Sequence, residues 1–183
     1  IAANAGHLMA RNMLGRCLEH GWGGPVDLTL ASLQYRQAAE AGLDWAMYNY
    51  ANLLATGRGV PEDPLAALAL YRQAAELGHA KSMNLLGRYL EEGQYCAQDL
   101  NAAWYWYKCS AENGDFRGQF SHAAVLTQQG QIDEALEWLY KALAGGNLNF
   151  LRVAQQSLMY ARDPRIRALA SDFAQRAAQL QTH

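Results

Sequence analysis

The fold is decided by a stretch in the middle of the chain, residues 42–78, which reads GLDWAMYNYANLLATGRGVPEDPLAALALYRQAAELG. The segments on either side repeat the same order of residue types. One glycine of this pattern recurs every 36 residues, as Gly6, Gly42, Gly78 and Gly114. Self-similarity at a fixed period of this size is typical of solenoids, in which each unit buries its apolar face against neighbouring units. We therefore predict an all-α fold, a right-handed α-solenoid of stacked antiparallel helix pairs.

Each copy divides into two helical halves. In the first half a small residue recurs three positions before a leucine, as Gly15, Ala51 and Gly87. Glycine inside a helix costs about 1 kcal/mol relative to alanine, so Gly15 and Gly87 indicate a close approach between helices that compensates for this cost. The second half repeats an alanine and then a large residue four positions later, as Ala31 and Tyr35, Ala67 and Tyr71, Ala103 and Tyr107, and Ala135 and Leu139. This spacing places them on one helical face.

Aspartates mark the starts of the second helices. Asp27, Asp63 and Asp99 hold equivalent positions, and Asp63 precedes a proline, as Asp163 does near the end of the chain. This combination is typical of an N-cap followed by proline at the first helical position. We predict first helices near 7–20, 43–56, 79–92 and 115–129, second helices near 28–41, 64–77, 99–113 and 131–145, and two closing helices near 147–162 and 164–180.

Residues 46–78 resemble a SEL1-like repeat, the longer-loop relative of the tetratricopeptide repeat. The resemblance is carried by Gly57-Arg58-Gly59-Val60, Asp63, Ala67, Tyr71 and Ala74-Ala75-Glu76-Leu77-Gly78. The fourth unit departs from the pattern, because Gly114 to Gly146 spans only 32 residues and its turn resembles the shorter tetratricopeptide turn. The resemblance covers about 140 of the 183 residues. It implies a solenoid with a binding surface and leaves the partner unspecified.

The expected organisation is a single solenoid domain over residues 1–183. It comprises the tail of a preceding repeat at 1–5, repeats near 6–41, 42–77, 78–113 and 114–145, and a C-terminal helical cap at 146–183. The cap keeps apolar residues at helical spacing: Phe150, Val153, Leu158, Ile166, Leu169 and Phe173. Because residues 2–6 match residues 38–42, we expect the natural solenoid to begin upstream. Without a Met start, both a cytoplasmic and a periplasmic location remain open.

The composition argues against two classes of partner. The chain is 51% hydrophobic and 17% charged, with a formal net charge of -2. No apolar run approaches the roughly 18 residues that a membrane span requires, so membrane insertion is not expected. The near-neutral charge and the lack of a basic run remove the electrostatic attraction that dominates nucleic-acid binding. Nucleic acid is therefore not expected as a partner.

The cysteines give no sign of a disulfide framework or a redox motif. There are three of them and no CxxC pair. In some secreted SEL1-like proteins each repeat carries two cysteines eight residues apart, and this chain has Ala39 and Met47 in those places. The resemblance therefore implies no stapling of this kind. Cys17 and Cys96 align with apolar residues of other copies, so we expect them to be buried.

The histidines also favour structural roles. His7, His20, His79, His122 and His183 show no metal-binding spacing. His7 and His79 follow the repeat glycine, where we expect them at a turn or helix start. His122 aligns with Leu14, Tyr50 and Leu86, which indicates a core position. No nucleophile elbow or facing carboxylate pair is evident. We expect neither an enzyme nor a bound cofactor.

The inner face of the solenoid remains as the candidate functional surface, and in tetratricopeptide-like arrays it is lined by the first helix of each unit. Steps of three and four residues along those helices select one stripe on each. The candidate partner-binding residues are Asn12, Arg16, Trp45, Tyr48, Asn52, Lys81, Asn84, Arg88, Arg117 and Phe120. Arg and Asn side chains suit carboxylates and extended backbones, and the aromatic residues would anchor a ligand. The alternative is that Trp45 and Phe120 pack between repeats and that the charges are only solvated.

The sequence thus predicts a protein–protein interaction scaffold or adaptor. It would hold an acidic or extended protein segment in its concave groove through Arg16, Asn52 and Arg88. The alternative is a structural subunit that docks into a larger assembly through its ends or convex face. A third possibility, an enzyme or small-molecule site, would gain support from a deep pocket with a convergent histidine and carboxylate.

Overall fold

The computed structural model describes the backbone of residues 2–181 and the side chains of residues 6–181. Over this range the chain forms α-helices joined by turns and loops and contains no strand. The helices are α1 (Ala2–His20), α2 (Leu28–Glu40), α3 (Asp44–Thr56), α4 (Pro64–Glu76), α5 (Ala80–Glu92), α6 (Leu100–Glu112), α7 (Phe116–Gln128), α8 (Ile132–Gly145), α9 (Leu148–Met159) and α10 (Pro164–Gln181). Helices adjacent in the sequence pack in pairs, α1 with α2, α3 with α4, α7 with α8 and α9 with α10. The predicted all-α fold of paired helices is confirmed.

The helix bounds agree with the predicted ones to within a few residues, except at the start. There α1 begins at Ala2 and runs through Gly6 and His7, where a helix start was predicted. Gly42, Gly78 and Gly114 follow their helices with a positive φ, and Gly6 does not. The matching alanine-rich segment before Gly42 does end its helix, so the local sequence does not explain the difference at Gly6. Of the predicted repeat tail at 1–5, Ile1 and the side chains lie outside the described residues.

The aspartate caps form as predicted. The side chains of Asp27, Asp63 and Asp99 each accept a hydrogen bond from the backbone N–H three residues later, at 2.8, 2.9 and 2.9 Å. Asp163 caps α10, accepting from the N–H of Arg165 at 2.8 Å and from that of Ile166 at 3.4 Å. These bonds satisfy backbone donors that a helix start leaves without an intrahelical partner. They fix where α2, α4, α6 and α10 begin, whereas α8 has no side-chain cap.

The chain divides into two compact units, residues 1–103 and 104–183. In the first unit α2 also packs on α3, and α4 on α5. Its core repeats one arrangement, in which a small residue of the first helix faces a buried tyrosine of the second. A Cβ atom on Gly15 would lie 2.6 Å from Cε1 of Tyr35, and Ala51 packs in one cluster with Tyr71. The close approach predicted at Gly15 is confirmed.

The second unit has a larger aliphatic and aromatic core. The predicted cap residues Phe150, Leu158, Ile166, Leu169 and Phe173 are all buried in it. Val153 is the exception, because its side chain is 65% exposed. The rings of Phe150 and Phe173 lie 6.3 Å apart, which ties α9 to α10.

Two further features bear on the predicted function. None of the helices in residues 2–181 combines the length and apolar character needed to span a bilayer.

The three cysteines are free. Cys17 and Cys96 are half-buried where full burial was expected, and the thiol of Cys96 donates to the carbonyl oxygen of Tyr89 at 3.4 Å.

Candidate functional site

Six of the ten predicted site residues line one cavity of the first unit, which has a volume of about 540 Å³. We call this cavity the α1–α3 groove. Its lining comprises Met9, Asn12, Met13, Arg16, Glu19 and His20 of α1, Trp45, Tyr48, Asn49 and Asn52 of α3, and Lys81 of α5. The predicted residues among these are Asn12, Arg16, Trp45, Tyr48, Asn52 and Lys81. They meet because steps of three and four residues on α1 and α3 place them on facing stripes.

Two asparagine amides are held in place by internal hydrogen bonds. The Nδ2 group of Asn49 donates to Oδ1 of Asn12 at 2.9 Å, which links α3 to α1. The hydroxyl of Tyr71 on α4 donates to Oδ1 of Asn52 at 2.6 Å. Asn12 is buried, with only 4% of its surface exposed. In both bonds the amide oxygen is the acceptor, so each bond occupies the oxygen and not the NH2 group.

Two cations of the groove lie against aromatic rings. The ammonium nitrogen of Lys81 is 5.4 Å from the centre of the Trp45 ring and 5.9 Å from that of Tyr48. The guanidinium carbon of Arg16 is 5.1 Å from the centre of the Trp22 ring. Within residues 6–181 neither cation forms an ion pair with a carboxylate. Stacking on a ring holds a cation in place and leaves its donors available.

Trp45 and Tyr48 owe their positions to the start of α5. The ring of His79 lies 4.5 Å from that of Trp45, edge to face, and 4.9 Å from that of Tyr48. His79 is the N-cap of α5, and its Nδ1 accepts from the backbone N–H of Ser82 at 3.3 Å. The predicted role of His79 at a helix start is confirmed. Trp45 remains 41% exposed, so it offers apolar area to a ligand.

Glu19 is the carboxylate of the groove, and both its oxygens are engaged. Tyr35 donates its hydroxyl to Oε2 at 2.8 Å, and the Arg58 guanidinium lies 3.1 Å from Oε1. Burial and the bond to Glu19 raise the pKa of Tyr35 well above its usual value, so the hydroxyl keeps its proton. Since Arg58 offsets the charge of Glu19, Arg16 and Lys81 give the groove an excess of positive charge.

The groove also holds a histidine beside this carboxylate. His20 Nε2 lies 4.0 Å from Glu19 Oε2, beyond hydrogen-bond distance. The carboxylate oxygens already accept from Tyr35 and Arg58, so the pair is not arranged for proton transfer. In residues 6–181 no group of three or more His, Cys, Asp or Glu side chains could hold a metal ion.

The other four predicted residues lie elsewhere. Asn84 is buried within α5, and Arg88 on the same helix is exposed, with its guanidinium 3.5 Å from the carboxylate of Glu92. Arg117 and Phe120 belong to the second unit. There the Arg117 guanidinium lies 4.9 Å above the Phe116 ring.

Phe120 has a packing role in that second unit. Its ring lies 5.7 Å from that of Phe150 and 6.4 Å from that of Phe173. This is the alternative that the sequence left open for Phe120. Trp45, the other aromatic residue in that alternative, contacts His79 and also lines the groove.

Sequence reasoning missed several residues of the groove. Asn49, Met13 and His20 lie beside the predicted stripe and were not selected. Trp22 is in the loop after α1 and contacts both Arg16 and His20. The signal that could have found Trp22 is its place in the Gly21-Trp22-Gly23 loop, because an exposed tryptophan between glycines has no core to fill.

His122 is a core histidine, as its alignment with leucines predicts. It is buried, and its ring lies 5.4 Å from that of Trp138. Its Nδ1 atom has no hydrogen-bond partner among the described residues. Burial lowers the pKa of His122 below its usual value, because the charged form would lose its hydration.

Comparison with known families gives a match over more than half of the chain. The model of the Sel1 repeat matches residues 8–43, 46–79, 80–115 and 127–147. The first three matches fall on the predicted long repeats, and the last on the shorter fourth unit. No curated protein matches this chain.

Several solved structures share the fold. A Sel1 repeat protein from Oxalobacter formigenes is 27% identical with a TM-score of 0.74, and the match covers 97% of this chain and 75% of that one. A protective antigen of uropathogenic Escherichia coli, described as displaying an SLR fold, is 24% identical with a TM-score of 0.75; this chain spans 39% of its length and is covered to 97%. An immunity protein from Pseudomonas aeruginosa is 17% identical with a TM-score of 0.53, covering 95% of this chain and 82% of that protein.

Proposed function

Because this chain belongs to the Sel1 repeat family, whose members generally mediate protein–protein interactions, we propose that it is a scaffold or adaptor that binds a protein segment in the α1–α3 groove. The bound segment is acidic and extended. Arg16, Asn52 and Lys81 are the proposed contacts. Arg88, the third residue of the predicted set, is placed outside this contact because it pairs with Glu92 and does not line the groove.

The observation that carries the proposal is the pair of cations stacked on aromatic rings without a carboxylate partner. Elsewhere in the first unit, Arg36, Arg58 and Arg88 each pair with a glutamate, and Arg11 and Arg72, which have no carboxylate partner within residues 6–181, lie outside the groove. Arg16 and Lys81 lack such a partner within residues 6–181, and both line the groove. A carboxylate supplied by another molecule would form charge-assisted hydrogen bonds with them.

The apolar part of the groove supports a peptide more than a small ion. Met9, Met13 and Trp45 are each more than two-fifths exposed. Buried aromatic anchors contribute most of the affinity in many interfaces, and tryptophan is among the commonest of them. Apolar side chains of the segment would contact these residues while its carboxylates meet the cations.

The test uses a short fluorescein-labelled peptide in which glutamate alternates with leucine, with binding followed by fluorescence anisotropy. We expect the double variant Arg16→Ala/Lys81→Ala to bind at least about tenfold more weakly, the loss of roughly one charge-assisted hydrogen bond. The matched control is Arg36→Ala/Arg72→Ala, which removes the same charge from exposed positions outside the groove. A peptide with lysine in place of glutamate should bind weakly to the unsubstituted protein. Equal losses in the two double variants would contradict the proposal.

The second candidate function is a structural subunit that docks into a larger assembly through the apolar face of α1 and α2, and one observation favours it. Leu14 is 48% exposed on α1, whereas Leu86 at the equivalent position of the third copy is fully buried. Leu30 and Leu33 on α2 are exposed as well. If this face docks into an assembly, Leu14→Ser with Leu33→Ser will release the assembly, and the groove variant Arg16→Ala/Lys81→Ala will keep it. Release of the assembly by Arg16→Ala/Lys81→Ala, and not by the leucine substitutions, would favour binding through the groove.

A further inference from the structure

The orientation of the two groove amides determines what they can offer a ligand. An asparagine amide has one acceptor oxygen and one donor NH2 group. In Asn12 and Asn52 the oxygen is already held, by Asn49 at 2.9 Å and by Tyr71 at 2.6 Å. Neither Nδ2 group has a hydrogen-bond partner among the described residues. Since both residues line the groove, these NH2 groups are donors available to a bound molecule.

Tyr71 holds the Asn52 amide through the hydrogen bond from its hydroxyl. Tyr71 is buried and does not line the groove. Its environment raises the pKa of its hydroxyl, mainly through burial, so the hydroxyl stays protonated and remains a donor. In the observed arrangement this hydroxyl donates to the amide oxygen of Asn52, so the NH2 group of Asn52 lies on the other side of the amide from Tyr71.

We propose that the α1–α3 groove recognises oxygen acceptors of an acidic extended peptide through the NH2 groups of Asn12 and Asn52, with Tyr71 as a positioning residue. This inference rests on the proposed function of the groove. Arg16 and Lys81 add further donors with no carboxylate partner in residues 6–181, so carboxylates and backbone carbonyl groups are the chemistry that fits. Asn12 lies on α1 and Asn52 on α3, so a chain laid across the groove from α1 to α3 would meet both.

A double-mutant cycle with the same glutamate–leucine peptide tests the positioning role. We expect Asn52→Ala to weaken binding by about three- to tenfold, the effect of one lost hydrogen bond. Tyr71→Phe should weaken it by a similar factor in the unsubstituted protein and cause no further loss in the Asn52→Ala background. The matched control is Tyr50→Phe, which removes the hydroxyl of a half-buried tyrosine outside the groove and should leave the affinity unchanged. Thermal unfolding of each variant confirms that it is folded.

Two results would overturn the inference and leave the proposed function standing. In one, Asn52→Ala binds as well as the unsubstituted protein while Arg16→Ala/Lys81→Ala does not. In the other, Tyr71→Phe costs the same factor in both backgrounds, which indicates a general structural effect. If the peptide fails to bind, or if the Arg16 and Lys81 substitutions leave its affinity unchanged, the proposed function and this inference both fail.

Discussion

An alanine at Gly59, in the loop between α3 and α4, should lower the free energy of unfolding by more than the left-handed backbone conformation alone explains. Its φ is +72°, in the left-handed region. A Cβ atom there would contact the carbonyl group of Leu28 and lie 2.8 Å from the Leu28 Cβ. Gly23 holds the equivalent position in the preceding copy, with a φ of +82° and no atom within 4 Å of an added Cβ. The two glycines share the backbone conformation and differ in the contact.

Substituting each of the two glycines by alanine separates the cost of the backbone conformation from the cost of the contact with Leu28. An alanine in the left-handed region costs about 1 to 2 kcal/mol, so we expect Gly23→Ala to lower the free energy of unfolding by that amount. Gly59→Ala should cost about 1 to 3 kcal/mol more, because the backbone of Leu28 must move to admit the methyl group. Urea denaturation followed by circular dichroism measures both, and each kcal/mol should lower Tm by about 2 to 4 °C in a chain of this size.

The reasoning is refuted if the two variants lose the same stability. That result would mean that the loop after α3 does not lie against the start of α2. A greater loss in Gly23→Ala than in Gly59→Ala would contradict the different surroundings of the two copies. Both variants should retain the helical spectrum of the unsubstituted protein, which serves as the check that the fold persists.

Three further predictions concern single side chains. Because burial lowers the pKa of His122, the unfolded state binds more protons than the folded state below about pH 6.5, and the urea midpoint should fall as the pH decreases from there. His122→Leu should make the urea midpoint depend less on pH, whereas His7→Leu, at an exposed position, serves as the control. Asp63→Ala should cost about 0.5 to 2 kcal/mol in urea denaturation and Asp63→Asn much less, since asparagine also caps. Phe173→Ala should cost about 3 to 5 kcal/mol by the same assay, because it empties the fully buried centre of the second unit; a loss below 1 kcal/mol would contradict this packing.

The repeat pattern was enough to predict the helices, because each recurring residue has a local reason for its position. Asp27 and Asp63 cap helices through bonds that span only three residues, and His79 does the same. The helix start predicted near residue 7 was wrong, because α1 runs through Gly6 although the matching segment before Gly42 ends α2.

The candidate site was less predictable from the sequence. The alignment of the repeats predicts which residues share a helix face, but it does not predict which hydrogen bonds and ring contacts those residues form. The stripe through Asn12 and Asn52 stays a prediction as a binding surface, and both residues line the groove. Asn49, which donates to Asn12, lies one position beside the predicted stripe on α3. Tyr71, which donates to Asn52, lies on α4. Phe120 aligns with Tyr48 but packs against α9 and α10, which lie outside the repeat pattern.

The five tryptophans allow one measurement that tests the groove directly. Trp22 and Trp45 belong to the first unit and contact Arg16 and Lys81, whereas Trp104, Trp106 and Trp138 all belong to the second unit. Titration of ¹⁵N-labelled protein with the glutamate–leucine peptide reports on each indole N–H separately. We expect the signals of Trp22 and Trp45 to shift with a common saturation curve and the other three to stay in place. Shifts confined to the second unit, or a saturating peptide that leaves Trp45 unmoved, would contradict it.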